Sequence, residues 1–245
     1  MRNLTVEGSY NVRDLGGYPT EDGQCTRWNI FIRAGNLSDV SPEGCQYLND
    51  YGVKTIIDLR DEWEVQSFPN VLAQAEHIQY VNLPLIGNHL SQDESWKAAS
   101  NQYSQLHELY VYYLEHCQTQ VAAIIGAVAE STTGTLFHCY AGKDRTGLIA
   151  ALILGAVGVT AEVIADDYAL TSQQITPLIE RLRVNAAEHG RNMQHFERDM
   201  ASVPQTMLDT LDHLNRRYGG VKDYLAACGV TDQQLVRLRE RFVQG

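Results

Sequence analysis

The sequence predicts an α/β domain: a central, mostly parallel sheet flanked by helices, with extra helices toward the C-terminus. Three observations lead there. Strand-like and helical segments alternate through the first 145 residues, the order in which parallel sheets are built. From 145 onward the pattern is helical almost to the end. The chain has 245 residues, 44% of them hydrophobic, and no repeat or Pro/Gly/Ser-rich linker divides it. Residues 1–245 are therefore read as one domain.

Taken in order, Glu21-Asp22-Gly23 is a turn signal ahead of a strand over Trp28–Arg33. Ser41-Pro42-Glu43 reads as N-cap, N1 and acidic first turn of a short helix that ends near Gly52. Val53–Leu59 and His77–Leu85 follow as strands. Residues 96–117 carry apolar or aromatic side chains at 103, 106, 109, 110, 113 and 114, a helical stripe. Its tyrosines, Tyr103, Tyr110, Tyr112 and Tyr113, read as core and helix surface. A helix from Thr119 to Glu130 feeds a short buried strand, Gly134–His138. Helix breaks fall at Thr160, Thr176-Pro177, Val203-Pro204, Gly219-Gly220 and Gly229. Thr231-Asp232-Gln233-Gln234 is a capping box for the last helix.

Composition narrows the function. Nineteen Lys+Arg against 30 Asp+Glu give a net charge of −11, with no basic run, which argues against nucleic acid or an anionic membrane surface as partner. An anionic ligand then needs a local positive site that works against the global field. The N-terminus has no apolar signal region, and the longest apolar-rich uncharged stretch, Thr146–Ala161, is shorter than the about 20 residues of a membrane span. A cytoplasmic location without integral membrane contact is expected, export by a route without a recognisable signal aside. Five cysteines with no C-x-x-C and eight histidines with no H-x-x-x-H support neither a disulfide scaffold nor a metal site. No cofactor is expected.

Chemistry concentrates in Thr135-Leu136-Phe137-His138-Cys139-Tyr140-Ala141-Gly142-Lys143-Asp144-Arg145-Thr146-Gly147. A Cys with an Arg six positions on arises about 0.3 times by chance in such a composition, so the pair alone is weak. Its setting is not: an apolar strand enters the cysteine, a loop containing Gly142 follows, and an apolar helix starts at Arg145. Such a strand–loop–helix aims successive backbone N–H groups and a helix dipole at one point, where a tetrahedral dianion fits. Arg145 can clamp two phosphate oxygens, which Lys cannot reproduce. The same positive field favours the thiolate of Cys139. Thr146 can donate a hydrogen bond to that sulfur.

The run His-Cys-x-x-Gly-Lys-Asp-Arg-Thr-Gly resembles the signature of Cys-based tyrosine phosphatases, most closely the bacterial branch that acts on both phosphoproteins and phosphoinositides. Three further stretches are similar to that branch: Asn11-Val12-Arg13-Asp14-Leu15-Gly16-Gly17-Tyr18, Ile57-Asp58-Leu59-Arg60, and Tyr218-Gly219-Gly220-Val221 with Tyr224-Leu225. The resemblance implies a tyrosine-phosphatase-like fold and a phosphomonoester hydrolase working through a phosphocysteine intermediate. It implies Cys139 as nucleophile and Arg145 as clamp. Tyr140, Ala141, Gly142, Lys143 and Thr146 would form the substrate cradle. His138 is read either as orienting the loop and sustaining the thiolate, or as a satisfied core histidine.

Phosphoester cleavage also needs a proton donor, later a base for water. No Trp-Pro-Asp occurs, and beyond Pro84 the next carboxylate is Asp93. Asp144 is therefore the first choice, as the resemblance implies. Lys143 and Arg145 favour its charged form, whereas bound phosphate favours its protonated form, and the alternative is that it only braces the loop by an ion pair. Asp58, Asp61 and Asp14 stand in reserve. Arg60 and Asp61 follow a strand end, where they either line the pocket or, the preferred reading, form a structural Arg–Asp pair with each other; Arg13-Asp14 is assigned to bracing the fold. Lys143 on the loop's rim would favour multiply phosphorylated ligands. Residues 172–203 form either a lid over the site or packing elaboration. Two other classes stay open: a catalytically weak phosphate-binding module, and sulfur or arsenate chemistry on a similar loop. The expected partners are a phosphorylated protein or phosphoinositide substrate, with phosphate as product.

Overall fold

Burial alternates with a period of two along the central strands, and both faces are covered. Phe31, Ile57 and Phe137 belong to one apolar cluster, while their neighbours Ile32, Ile56 and Leu136 belong to another on the opposite face. These residues come from β3 (Phe31–Ala34), β4 (Val53–Asp58) and β6 (Gly134–His138) of a five-stranded sheet. Its order is β1-β3-β6-β4-β5, with β1 (Arg13–Asp14) antiparallel at one edge and β5 (Gln79–Asn82) parallel at the other. The mostly parallel sheet with flanking helices bears out the predicted class. The computed structural model describes residues 2–87, 103–189 and 192–244.

Local chemistry sets the helices. In α1 (Pro42–Asp50) the N-cap Ser41 side chain accepts from Gly44 N at 3.1 Å, with Pro42 in the first turn. After α2 (Glu62–Ser67) come α3 (Leu106–His116) and α4 (Gln118–Glu130), which buries Val121, Ile124, Ile125 and Val128 against the sheet side that α5 (Asp144–Ala156) also covers. Nearly every residue of α5 from Thr146 to Ala156 is buried. Its apolar character therefore reflects a central position, and among the described residues no helix is long and apolar enough to cross a membrane. The remaining helices are α6 (Ala161–Ala169), α7 (Thr171–Gln174), α8 (Thr176–Glu188), α9 (Met193–Met200), α10 (Pro204–Tyr218), α11 (Val221–Cys228) and α12 (Asp232–Phe242). The predicted breaks all coincide with helix boundaries, whereas the boundaries at Leu170 and after Glu188 fall where no Pro or Gly break is expected. Gly219 ends α10 with φ +96°, and the Thr231/Gln234 capping box opens α12.

Several boundaries differ from expectation. Trp28-Asn29-Ile30 stays outside β3 because Asn29 sits at φ +63°, which no strand accommodates. The expected helix over 96–117 is seen as α3, its start at 96–102 lying outside the described residues. A two-residue strand, β7 (Val243–Gln244), pairs with β2 (Cys25–Thr26) in a separate ladder that has too few residues to leave a periodic signal.

Candidate active site

β6 ends at His138, and the chain passes into the loop Cys139–Lys143, at the C-terminal ends of the parallel strands, before α5 begins at Asp144. Ligands bind at that end of open α/β sheets. Cys139 is buried, at 2% exposure. The loop needs its glycine. Gly142 has φ +67°, and a Cβ there would sit 2.5 Å from the Ala34 carbonyl oxygen and 2.7 Å from Gly35 N. Tyr140 is partly exposed and meets Phe68 edge-to-face at 5.4 Å.

Arg145, the expected clamp, is held by Glu64 of α2. Its NH2 donates to Glu64 Oε1 at 2.8 Å, and NH1 contacts Oε2 in a second, parallel bond. Burial would raise the Glu64 carboxyl, but the Arg145 bonds hold it below the usual range. The guanidinium thus presents to Glu64 the same two-pronged geometry that it would present to phosphate. Glu64 Oε2 also accepts the Asp61 N–H at 3.0 Å, which ties the carboxylate to the start of α2.

Asp144 has two partners. Lys143 Nζ lies 2.7 Å from its Oδ1, and the Tyr110 hydroxyl donates to the same oxygen at 2.6 Å. Tyr110 is fully buried and 2.7 Å from the Tyr168 hydroxyl; burial, then the Asp144 charge, push its phenol well up, so it remains a donor. Lys143 departs from the sequence reading of a rim charge: it is 1% exposed and paired, with Ala201 O 3.4 Å away. Burial works against its charge, yet the Asp144 carboxylate lifts it to about 12.

His138 is buried too. Its Nε2 lies 3.1 Å from Asn70 Nδ2 and 3.4 Å from Asp58 Oδ2, and Nδ1 is 3.2 Å from Cys139 O. Burial pushes the imidazole below its ordinary value despite the pull of Asp58, which favours the neutral ring. Asp58 and Arg60 form a buried two-pronged pair at 2.9 and 2.6 Å, so the carboxylate that Arg60 grips is that of Asp58 and not the expected Asp61. Arg60 reaches onward to Asn36 Oδ1 and Phe68 O, bracing the loop's surroundings. Thr146 Oγ1 is buried and has no hydrogen-bond partner among the described residues. Asp14 accepts from Gly16 N, Asn29 N and the Tyr51 hydroxyl, consistent with a brace.

Asp144 and Arg145 open onto a cleft of about 310 Å³ shared with Asp61, Trp63, Asp199 and Met200. Asp61 thus faces the site, while Asp58 does not line it. A larger concavity of about 810 Å³ lies at the far end of α5, against α6, α10 and α11, and its lining holds no Cys or His. Glu64 and Tyr110 escaped the sequence reading. Glu64 stood only as one acid among 30, and Tyr110 as one member of a helical stripe.

Residues 4–244 match the tyrosine phosphatase family. The chain is 32% identical over 223 residues to a tyrosine-protein phosphatase of Nostoc commune, covering 88% of this chain and 75% of that one. It is 26% identical over 252 residues to the triple specificity protein phosphatase PtpB of Mycobacterium tuberculosis, covering 92% and 87%. A match over almost the whole length, with the signature loop where α/β sheets bind ligands, places this chain in the tyrosine phosphatase family as a hydrolase of the protein-tyrosine phosphatase type.

Proposed function

We propose that this chain hydrolyses phosphotyrosine and related aryl phosphates through a phosphocysteine on Cys139. The observation that carries the reading is convergence: nucleophile, clamp and carboxylate all lie within one loop and the first turn of α5, with Asp144 held by Tyr110. The Cys139 thiolate attacks phosphorus while Arg145 and the loop N–H groups hold the phosphate oxygens. The P–O bond breaks, and the leaving phenolate takes its proton from Asp144, which has to enter this step as the carboxylic acid, its Oδ–H bond breaking as the phenol O–H bond forms. Asp144, now a carboxylate, takes a proton from water; that oxygen attacks phosphorus, the P–S bond breaks, and thiolate and inorganic phosphate are regenerated. Thr146, whose buried hydroxyl has no partner among the described residues, is suited to donate to the departing sulfur.

Asp61 lines the same cleft and is the second reading for the acid. Leaving-group dependence separates the two. Replacing the true acid should harm turnover of phenyl phosphate far more than that of p-nitrophenyl phosphate, whose phenolate departs unaided. If Asp144→Asn affects both equally or neither, and Asp61→Asn shows the contrast, the acid is Asp61.

The cleft favours singly phosphorylated aryl substrates. Asp61, Asp144 and Asp199 line it, and Lys143 is already neutralised by Asp144. The name of the mycobacterial relative supports broader specificity, which extends to phosphoserine, phosphothreonine and phosphoinositides as the wider reading. A kcat/KM at least as high on a phosphoinositide as on a phosphotyrosine peptide would reverse this preference. The 172–203 segment is read as a lid: Asp199 and Met200 line the cleft, and the Tyr103 hydroxyl donates to Asp199 at 2.8 Å.

A further inference from the structure

The N-terminal Asn-x-Arg-Asp stretch does more than brace the sheet. Asn11 is 2% exposed and sits at φ +60°, a left-handed conformation that Asn tolerates better than most residues. Its Nδ2 donates to Gly142 O at 2.7 Å and lies 3.3 Å from Ala141 O, while its Oδ1 accepts from Arg13 NH1. Arg33 NH2 donates to the same Gly142 oxygen at 2.8 Å, so both lone pairs of that carbonyl are occupied. The carbonyl before that of Ala141, Tyr140 O, accepts from Asn36 N at 2.8 Å. Three successive carbonyls of the loop are therefore tied to the protein body.

In a trans peptide the C=O and the following N–H point in opposite directions, and no cis bond occurs among the described residues. Tying the carbonyls of Tyr140, Ala141 and Gly142 on one side turns the N–H groups of Ala141, Gly142 and Lys143 to the other, toward the mouth of the loop. The anchors are themselves locked. Asp167 of α6 pairs with Arg13 Nε at 2.9 Å and Arg33 NH1 at 2.7 Å, and accepts the Tyr18 hydroxyl at 2.6 Å. Two buried guanidiniums share this one carboxylate, which leaves a net positive charge directly behind the loop.

We propose that Asn11, seconded by Arg33, is a positioning residue for phosphate: it fixes the peptide planes of the loop so that their N–H groups meet the anion. This rests on the phosphatase reading of the Cys139 loop. The test is the competitive inhibition constant of inorganic phosphate, with kcat and KM for p-nitrophenyl phosphate, in wild type, Asn11→Asp and Asn11→Gly. Asn11→Asp keeps the size and the Arg13 contact but sets a carboxylate oxygen against two carbonyls. Asn11→Gly keeps the φ and removes only the side chain, so it decides the matter should the aspartate variant not fold. Phe242→Ala, which loosens the end of α12 where it packs on Phe31 and touches none of the Asn11 bonds, serves as a stability control.

Both Asn11 variants should raise the phosphate inhibition constant and KM by about tenfold or more, while Phe242→Ala keeps the wild-type value despite a lower unfolding midpoint. An inhibition constant within twofold of wild type in folded Asn11→Asp or Asn11→Gly overturns the positioning role and leaves the phosphatase reading intact. Wild-type protein that neither turns over the substrate nor binds phosphate overturns both. An inhibition constant raised equally in Phe242→Ala would show that general loosening, not the Asn11 bonds, is being read, and would also overturn the proposal.

Discussion

At the scale of single residues, the site is an arrangement of charges that satisfy one another until substrate arrives. Arg145 rests on Glu64, and Asp144 rests between Lys143 and Tyr110. Glu64 holds the guanidinium in place through one N–H each of NH1 and NH2, and a phosphoryl transition state calls on the N–H groups that remain. Arg145→Lys retains the charge but loses the planar fork, so kcat/KM for p-nitrophenyl phosphate should fall by about 10²–10³. Tyr110→Phe removes the neutral donor that orients Asp144 while leaving the cradle whole. It should lower kcat by about tenfold with little change in KM, and an unchanged kcat would mean that Lys143 alone orients the carboxylate.

Elements set where those residues stand. The loop packs directly on the end of β3, so Gly142→Ala meets the Ala34 carbonyl and forces a strained φ at once. It should abolish turnover and lower the unfolding midpoint, both measurable on one preparation. The joint between β1, β3 and α6 has its own pH signature. Burial alone would raise the Asp167 carboxyl, but Arg13 and Arg33 hold it well below the usual carboxylate range. Its unfolded value is about 3.9, so the stability it contributes is complete above that pH and is lost as pH falls below it. Asp167→Asn should cost about 3–5 kcal/mol near neutrality, because two buried guanidiniums lose their anion. The gap to wild type in urea unfolding should then hold above about pH 4 and narrow as the pH falls from there toward about 2. A constant gap would mean that Asp167 is not charged in the fold.

Across the whole molecule, a chain of net charge −11 sets two buried guanidiniums, Arg13 and Arg33, against the one carboxylate of Asp167 behind the Cys139 loop, while Lys143 and Arg145 each carry a carboxylate partner. The C-terminus closes the structure on the other side: Phe242 is fully buried and meets Phe31 edge-to-face at 4.7 Å. Phe242→Ala should cost about 3–5 kcal/mol in urea unfolding with turnover preserved. The Cys139 loop is legible in sequence because its chemistry is contiguous, and the helix breaks are legible because Pro, Gly and capping residues mark them locally. Glu64 and Asp167 are not legible, since each acts on a partner brought in by the sheet from far along the chain. Asn11 is visible as part of a motif, but its hold on Gly142 appears only once β1 and β3 lie side by side. Lys143 misleads for a related reason: a loop position suggests solvent, and the descending end of α9 covers it.

The central claim is covalent catalysis by Cys139, and the most direct measurement is p-nitrophenyl phosphate turnover by wild type and Cys139→Ser. The account predicts steady hydrolysis by wild type and none by the folded serine variant, with inorganic phosphate still bound by both. Equal turnover by the two proteins would contradict it.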